Sequence, residues 1–179
     1  MKRLPVIHRA LLIAAAVMTL GAAPAPQPGA APQPVSVPKL RISDSKQLPT
    51  PLPYPYDEKA NAMSQVDAAF ARARASGKRV LIDFGGNWCP DCRILSGVME
   101  LPEVKPFVAA HFEVVAVDVG RFDRNMDVPQ RFKAKVTGVP WLVIARPDGT
   151  VLHSSYEVTD NGNASKPQAM VNWLGKWAR

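Results

Sequence analysis

The chain is poor in the residues that build metal centres and covalent scaffolds. Its 179 residues include two cysteines, Cys89 and Cys92, and three histidines. A disulfide framework needs several cysteine pairs, so this fold must rest on its core. A structural zinc site needs four ligands. Beyond His8 near the N-terminus, only His111 and His153 could join the pair, and they do not stand at finger spacing. No apolar run reaches the ~20 residues that cross a bilayer. Phosphate loops, Ser-His-Asp arrangements and basic helices interleaved with aromatics are all missing, which leaves phosphate binding, serine hydrolysis and nucleic-acid recognition without support.

Proline, by contrast, is abundant, with 18 residues, most of the excess before residue 56. The chain opens on MKRLPVIHR, a positive segment, followed by ALLIAAAVMTLGAA (10–23). That order predicts a signal peptide over 1–23 with an unclear cleavage point, an uncleaved membrane anchor being the alternative. The expected location is the periplasm or another exported compartment, where a cysteine pair can cycle. The net charge of +7 draws on Lys2, Arg3 and Arg9 in this end, and the modest remainder reads as a solvated surface. Residues 24–56, with APQP twice and then LPTPLPYPY, read as a Pro/Ala-rich linker in which Tyr54 and Tyr56 cover a domain edge.

The globular domain is expected over 57–179. Asp57 is placed to cap a helix carrying Met63, Val66, Phe70 and Ala73 on one face and ending at Gly77. RVLIDF (79–84) reads as a buried central strand with one anomaly, Asp83. A helix follows over about 90–100, then a second piece over 103–111, strands over 112–120 and 140–146, and a helix or turn over 127–135. Pro147-Asp148-Gly149 marks a hairpin turn into TVLHSSYEV (150–158), and RFDRN (121–125) reads as a solvated loop. A last helix, capped by Ser165, carries Met170, Val171, Leu174 and Trp177. The order implies an α/β core, a central mixed sheet flanked by helices, with an antiparallel C-terminal hairpin.

Three chemistries use Cys-x-x-Cys: half a zinc clamp, a structural staple, or a redox centre. The zinc reading lacks ligands. A staple closing two residues removes little chain entropy, because the gain grows with loop length. The context favours redox chemistry. Cys89 follows a buried strand and opens a helix, whose free N–H groups and dipole favour the thiolate, the attacking species. Pro90 suits the first turn. Cys92, one turn in, could resolve a mixed disulfide on Cys89.

VLIDFGGNWCPDC together with VTGVPWLVI (136–144) resembles the thioredoxin signature and, over 57–179, the thioredoxin-like fold. It looks closest to exported bacterial thioredoxin-family proteins with a Trp-Cys-Pro-Asp-Cys site. The helix break after the motif also resembles the thioredoxin-like domains of DsbD-type membrane carriers. The resemblance implies that Cys89 attacks, Cys92 resolves and Asp83 is a buried acid that moves the Cys92 proton; an Asp turned to solvent from a strand edge is the alternative. It implies that Pro140 is cis and faces the cysteines, that the Val139 backbone pairs with extended substrate, and that Trp88 flanks the site. The departures matter too. Gly85-Gly86-Asn87 replaces an aromatic-Ala pattern and opens the floor of the site. Trp141 replaces a common Thr and narrows the groove. Val117 stands where thioredoxins often carry a Lys beside the acid.

The function expected is thus an exported thiol–disulfide oxidoreductase acting on protein thiols and disulfides. Its redox-active pair Cys89–Cys92 needs no cofactor or metal, and electrons would come from a DsbD-type membrane donor. A monomer is expected, with no nucleic-acid partner. Asp91 beside Cys89 disfavours the thiolate, so a reductant or mild isomerase is expected rather than a strong oxidant. The alternatives are a non-enzymatic binding module or chaperone for extended chains, and a copper-handling protein using His111 or His153.

Overall fold

The computed structural model describes residues 35–160 and 162–179. The expected targeting segment and the first part of the expected linker lie outside the described residues. Among the described residues, four strands make one sheet in the order β2-β1-β3-β4. β1 (Arg79–Gly85) runs parallel to β2 (Phe112–Asp118) and antiparallel to β3 (Trp141–Ala145), which pairs antiparallel with β4 (Val151–Ser155). No helix of the described residues is long and apolar enough to cross a membrane.

β1 is nearly all apolar because both its faces are covered. Val80, Ile82 and Phe84 pack with Val66, Phe70 and Ala73 of α1 (Ala62–Ser76) on one face. Leu81 lies on the other face, in the core shared with α2 (Pro90–Met99), α3 (Lys105–His111) and α5 (Pro167–Trp177). By strand alternation Asp83 and Gly85 face the same way as Leu81, toward α2. A short α4 (Asp127–Arg131) precedes the cis peptide at Val139–Pro140.

Helix boundaries differ from the sequence reading at two caps. α1 begins at Ala62 with Asn61 as its cap, the Asn61 side chain accepting from Ser64 N–H at 2.9 Å. Asp57 instead closes a turn on Lys59 N–H. Ser165 bonds back to the Gly162 carbonyl, and α5 starts after it with no side-chain cap. Gly77 ends α1 as expected, in the left-handed conformation at φ 74.

The larger difference is the linker. Residues 35–56 do not extend away from the domain but run across it. Leu48 is buried, and Val35, Val37, Leu40, Ile42 and Leu52 pack against the α2–α5 core. Gln168 of α5 accepts from Leu40 N–H at 2.9 Å and donates to the Pro38 carbonyl at 3.1 Å. The stretch 39–47 contains a 3-10 turn at Ser45–Gln47 with a capping box on Asp44. Proline at every second position over 49–55 keeps that stretch out of a helix or an inner strand, so it shows no buried period, yet the aliphatic side chains of the segment still bury apolar area.

Candidate active site

β1 delivers the chain to the site. After Gly85 a tight turn, closed by Cys89 N–H on the Gly86 carbonyl at 3.0 Å, sets Cys89 at the cap of α2. Pro90 then occupies the first turn, where no N–H is required. Both cysteines are thiols. Cys89 Sγ accepts from Cys92 N–H at 3.4 Å and lies 3.6 Å from the Val139 carbonyl, to which its thiol donates. The Val139–Pro140 peptide therefore faces the attacking sulfur. Cys92 is fully enclosed, and Cys89 is 5% exposed.

The protonation pattern follows from this packing. Hydrogen bonds from the Cys92 thiol and the Cys92 N–H hold the Cys89 thiol down to about 7, against burial and the Asp91 carboxylate, which push it up. The hydrogen bond to Cys89, burial and the charge of Asp83 push the Cys92 thiol up. Asp83 is 1% exposed. Burial raises its carboxyl to about 7, the facing Tyr56 hydroxyl pulls it down, and charge on Cys89 raises it again. The site thus holds a sulfur poised as a thiolate near neutrality, a second sulfur held as a thiol, and a carboxyl able to exchange a proton at the same pH. Asp83 also lines a cavity of about 330 Å³ with Pro55, Ser96, Lys105 and Ala116 among its walls, roomy enough for water.

Other expected positions fall differently. The floor that Gly85 opens is filled by Tyr56, which is 2% exposed. A Cβ on Gly85 would collide with the Tyr56 hydroxyl and come within 2.8 Å of Cys92 Sγ. Gly86 leaves space for Trp88, whose Nε1 donates to the Gly120 carbonyl at 2.7 Å. Trp88 is 41% exposed at the rim, with Arg121 over its ring at 4.6 Å and Phe122 edge-on at 6.5 Å. The 121–125 segment is a solvent-exposed turn, as expected, and it is anchored at one end. Arg124 pairs with the buried Asp118 at 3.0 Å, and Asn125 donates to the Asp118 carbonyl. Trp141 is half-buried beside Pro140, with its ring 5.7 Å from that of Tyr156. It packs with the α1-side cluster, and its indole donates to Ser154 Oγ at 2.9 Å. Val117 likewise faces α1, and the β2 residue paired with Asp83 is Ala116. His111 bonds the Arg179 carbonyl, whereas His153 packs on Trp173 and Trp177. Among the described residues no three His, Cys, Asp or Glu side chains gather as a metal site.

Sequence reasoning missed the ties that seat the N-terminal segment. Asn87 accepts from Tyr56 N–H at 3.2 Å and donates to its carbonyl at 2.8 Å. Arg93 donates to the Pro53 carbonyl at 3.0 Å and the Leu52 carbonyl at 2.8 Å, its guanidinium lying 3.9 Å from the centre of the Tyr54 ring. The Gly85-Gly86-Asn87 departure was the available signal, since it removes bulk where a foreign side chain then enters. Gly85→Ala should therefore expel Tyr56 and destabilise the protein by about 1–3 kcal/mol. A thermal melt checks this, and a rise in stability, as strand propensity alone would give, would refute the close packing.

Residues 61–147 match the thioredoxin-like family model. A thioredoxin of Alicyclobacillus acidocaldarius is 32% identical over 82 residues, 46% of this chain and 71% of that protein. The chain belongs to the thioredoxin-like family of thiol–disulfide oxidoreductases. The crystal structure of a disulphide isomerase from Xylella fastidiosa Temecula1 superposes with a TM-score of 0.65 at 35% identity, covering 70% of this chain and 97% of that one. A probable nucleoredoxin 3 of Oryza sativa subsp. japonica is 30% identical over 89 residues, which is 49% of this chain but 18% of the rice protein. The thioredoxin-like match begins at Asn61, so the segment that carries Tyr56 lies outside it.

Proposed function

We propose that this protein is an exported thiol–disulfide oxidoreductase that reduces or isomerises disulfides in proteins of the cell envelope. The carrying observation is the placement of Cys89 at the cap of α2, 3.6 Å from the Val139 carbonyl, with Cys92 and Asp83 enclosed behind it. The Cys89 thiolate attacks a client disulfide, the distal client sulfur leaves and takes a proton, and a mixed disulfide forms. Asp83 then takes the Cys92 proton, Cys92 attacks Cys89 Sγ, and the second client sulfur leaves. The client gains two electrons, and the protein is left with a Cys89–Cys92 disulfide. A dithiol donor of the DsbD type in the membrane returns the electrons. An extended client strand pairs with the Val139 backbone, and Trp88 and Phe122 offer it an apolar rim.

Cys89 supports the reductive direction. A thiol near 7 is far from the strongly stabilised thiolate, with a pKa of about 3.5, of the strong oxidants, and Asp91 contributes to that by opposing the charge. The apolar leader and the cysteine pair together favour an exported location. Redox titration against glutathione buffers, paired with insulin reduction, tests the reading. The expected potential lies nearer the about −270 mV of reductants than the about −120 mV of strong oxidants, and a value at the oxidising end would overturn the direction.

A further inference from the structure

The segment before the thioredoxin-like domain ends by placing a phenol inside the redox centre. Tyr56 enters beside Gly85 at the end of β1 and forms one buried cluster with Cys89 and Cys92, against which Ala116 and Val139 pack. Two backbone hydrogen bonds to Asn87 fix its position, and Arg93 clamps the residues just before it. All three receiving residues, Gly85, Asn87 and Arg93, belong to the active-site stretch itself. The Tyr56 hydroxyl and Asp83 Oδ1 are both enclosed, and neither makes a regular hydrogen bond to another group. A buried hydroxyl without a settled partner is costly, and phenylalanine would fill the same space without that cost. The groups it faces are the ones that exchange a proton: Asp83 on β1 and Cys92 on α2, with Cys89 next to them. Across the cavity, the remaining charged groups near Asp83 are Glu100 and Lys105, which pair with each other at 2.6 Å.

We propose that Tyr56 is a positioning residue for the resolving step, its hydroxyl donating to the Asp83 carboxylate while Cys92 is a thiol and turning to the Cys92 sulfur as the thiolate forms. This rests on the oxidoreductase reading above. No atom is gained or lost at Tyr56, since burial and the charges of Asp83 and Cys92 hold its phenol protonated. The proton moves from Cys92 to Asp83, and the hydroxyl stabilises whichever of the two is anionic. The N-terminal segment is then part of the redox machinery, and its seating couples the capture of a client to its release.

Tyr56→Phe in the full chain is the test. Reduced protein is mixed with a cystine-containing peptide from pH 5.5 to 9, and the two steps are followed separately by quenching and mass. Formation of the mixed disulfide should be unchanged. The midpoint of the resolving step should move up by about one pH unit, making that step roughly tenfold slower at pH 6. In the oxidised protein, where no thiol titrates, the Asp83 carboxyl followed by carbon NMR should shift upward likewise. Asn87→Ala, which keeps the hydroxyl but loosens its seat, should give a smaller shift in the same direction. If the Tyr56→Phe profile and the Asp83 titration both superpose on those of the wild type, with only the melting temperature changed, Tyr56 is packing alone and the proposal falls. If the wild type fails to reduce the peptide at any pH, the oxidoreductase reading falls, and the Asp83 titration still decides whether the hydroxyl acts on the carboxyl.

Discussion

Cys89→Ser is expected to abolish disulfide reduction, and Cys92→Ser to leave a protein that captures clients without releasing them. The asymmetry follows from burial and hydrogen bonding. Cys89 is the sulfur that faces the Val139 carbonyl, and two hydrogen bonds from Cys92 bias it toward the thiolate. Cys92 is sealed under Tyr56 and held as a thiol, so no client reaches it. Serine at 89 removes the attacking thiol and should lower insulin reduction on the order of 10³-fold or more, since the alcohol is far weaker at neutral pH. Serine at 92 keeps the first attack and blocks the second, so mixed disulfides accumulate and mass spectrometry can name the clients. Residual turnover in Cys89→Ser above a few per cent would mean that Cys92 is reachable, and the burial argument would be wrong.

Much of this geometry was legible because it is local. The apolar run 79–84 announced a strand covered on both faces, and Asp83 stood out only because its neighbours are aliphatic. Cys89, Pro90 and the following helix are adjacent in the chain, and a cap with proline after it has a sequence signature. The Gly-Val-Pro element was found through its resemblance, and it does lie against Cys89. What stayed hidden depends on strand phase or on distant partners. Whether Val117 or Ala116 flanks Asp83 turns on a one-residue register, and a slip of one exchanges faces. Trp141 points to α1 for the same reason. Local sequence set Tyr56 at a domain edge but not inside the site, because its partner Asn87 and the Arg93 that holds the residues before it lie on the far side of α1 and β1 in the chain. The glycines at 85 and 86 carried that information as missing bulk: each permits one close approach, by Tyr56 and by Trp88.

The acid that serves the resolving step should also weaken the fold, and Asp83→Asn should reveal both effects. The Asp83 carboxyl stands at about 7 in the folded protein against an ordinary 3.8. The native state therefore holds a proton that the unfolded chain has lost between those values, so stability falls as pH rises through that window and levels off above it. A shift of this size corresponds to a loss on the order of 4 kcal/mol by pH 8, an upper figure because residual hydration softens buried charge. Asparagine is neutral throughout and matches the shape, so the variant should be more stable than the wild type at pH 8 and close to it at pH 4. Urea unfolding of both proteins at the two pH values measures this, with the variant subtracting the titrations that are not coupled to Asp83. The same substitution removes the proton acceptor for Cys92, and the resolving step should slow about 10²- to 10⁴-fold while the first attack persists. Parallel stability–pH curves for the two proteins would show that Asp83 is not the buried acid that the packing makes it. Divergent curves with an unchanged resolving rate would keep the burial and remove Asp83 from the proton path.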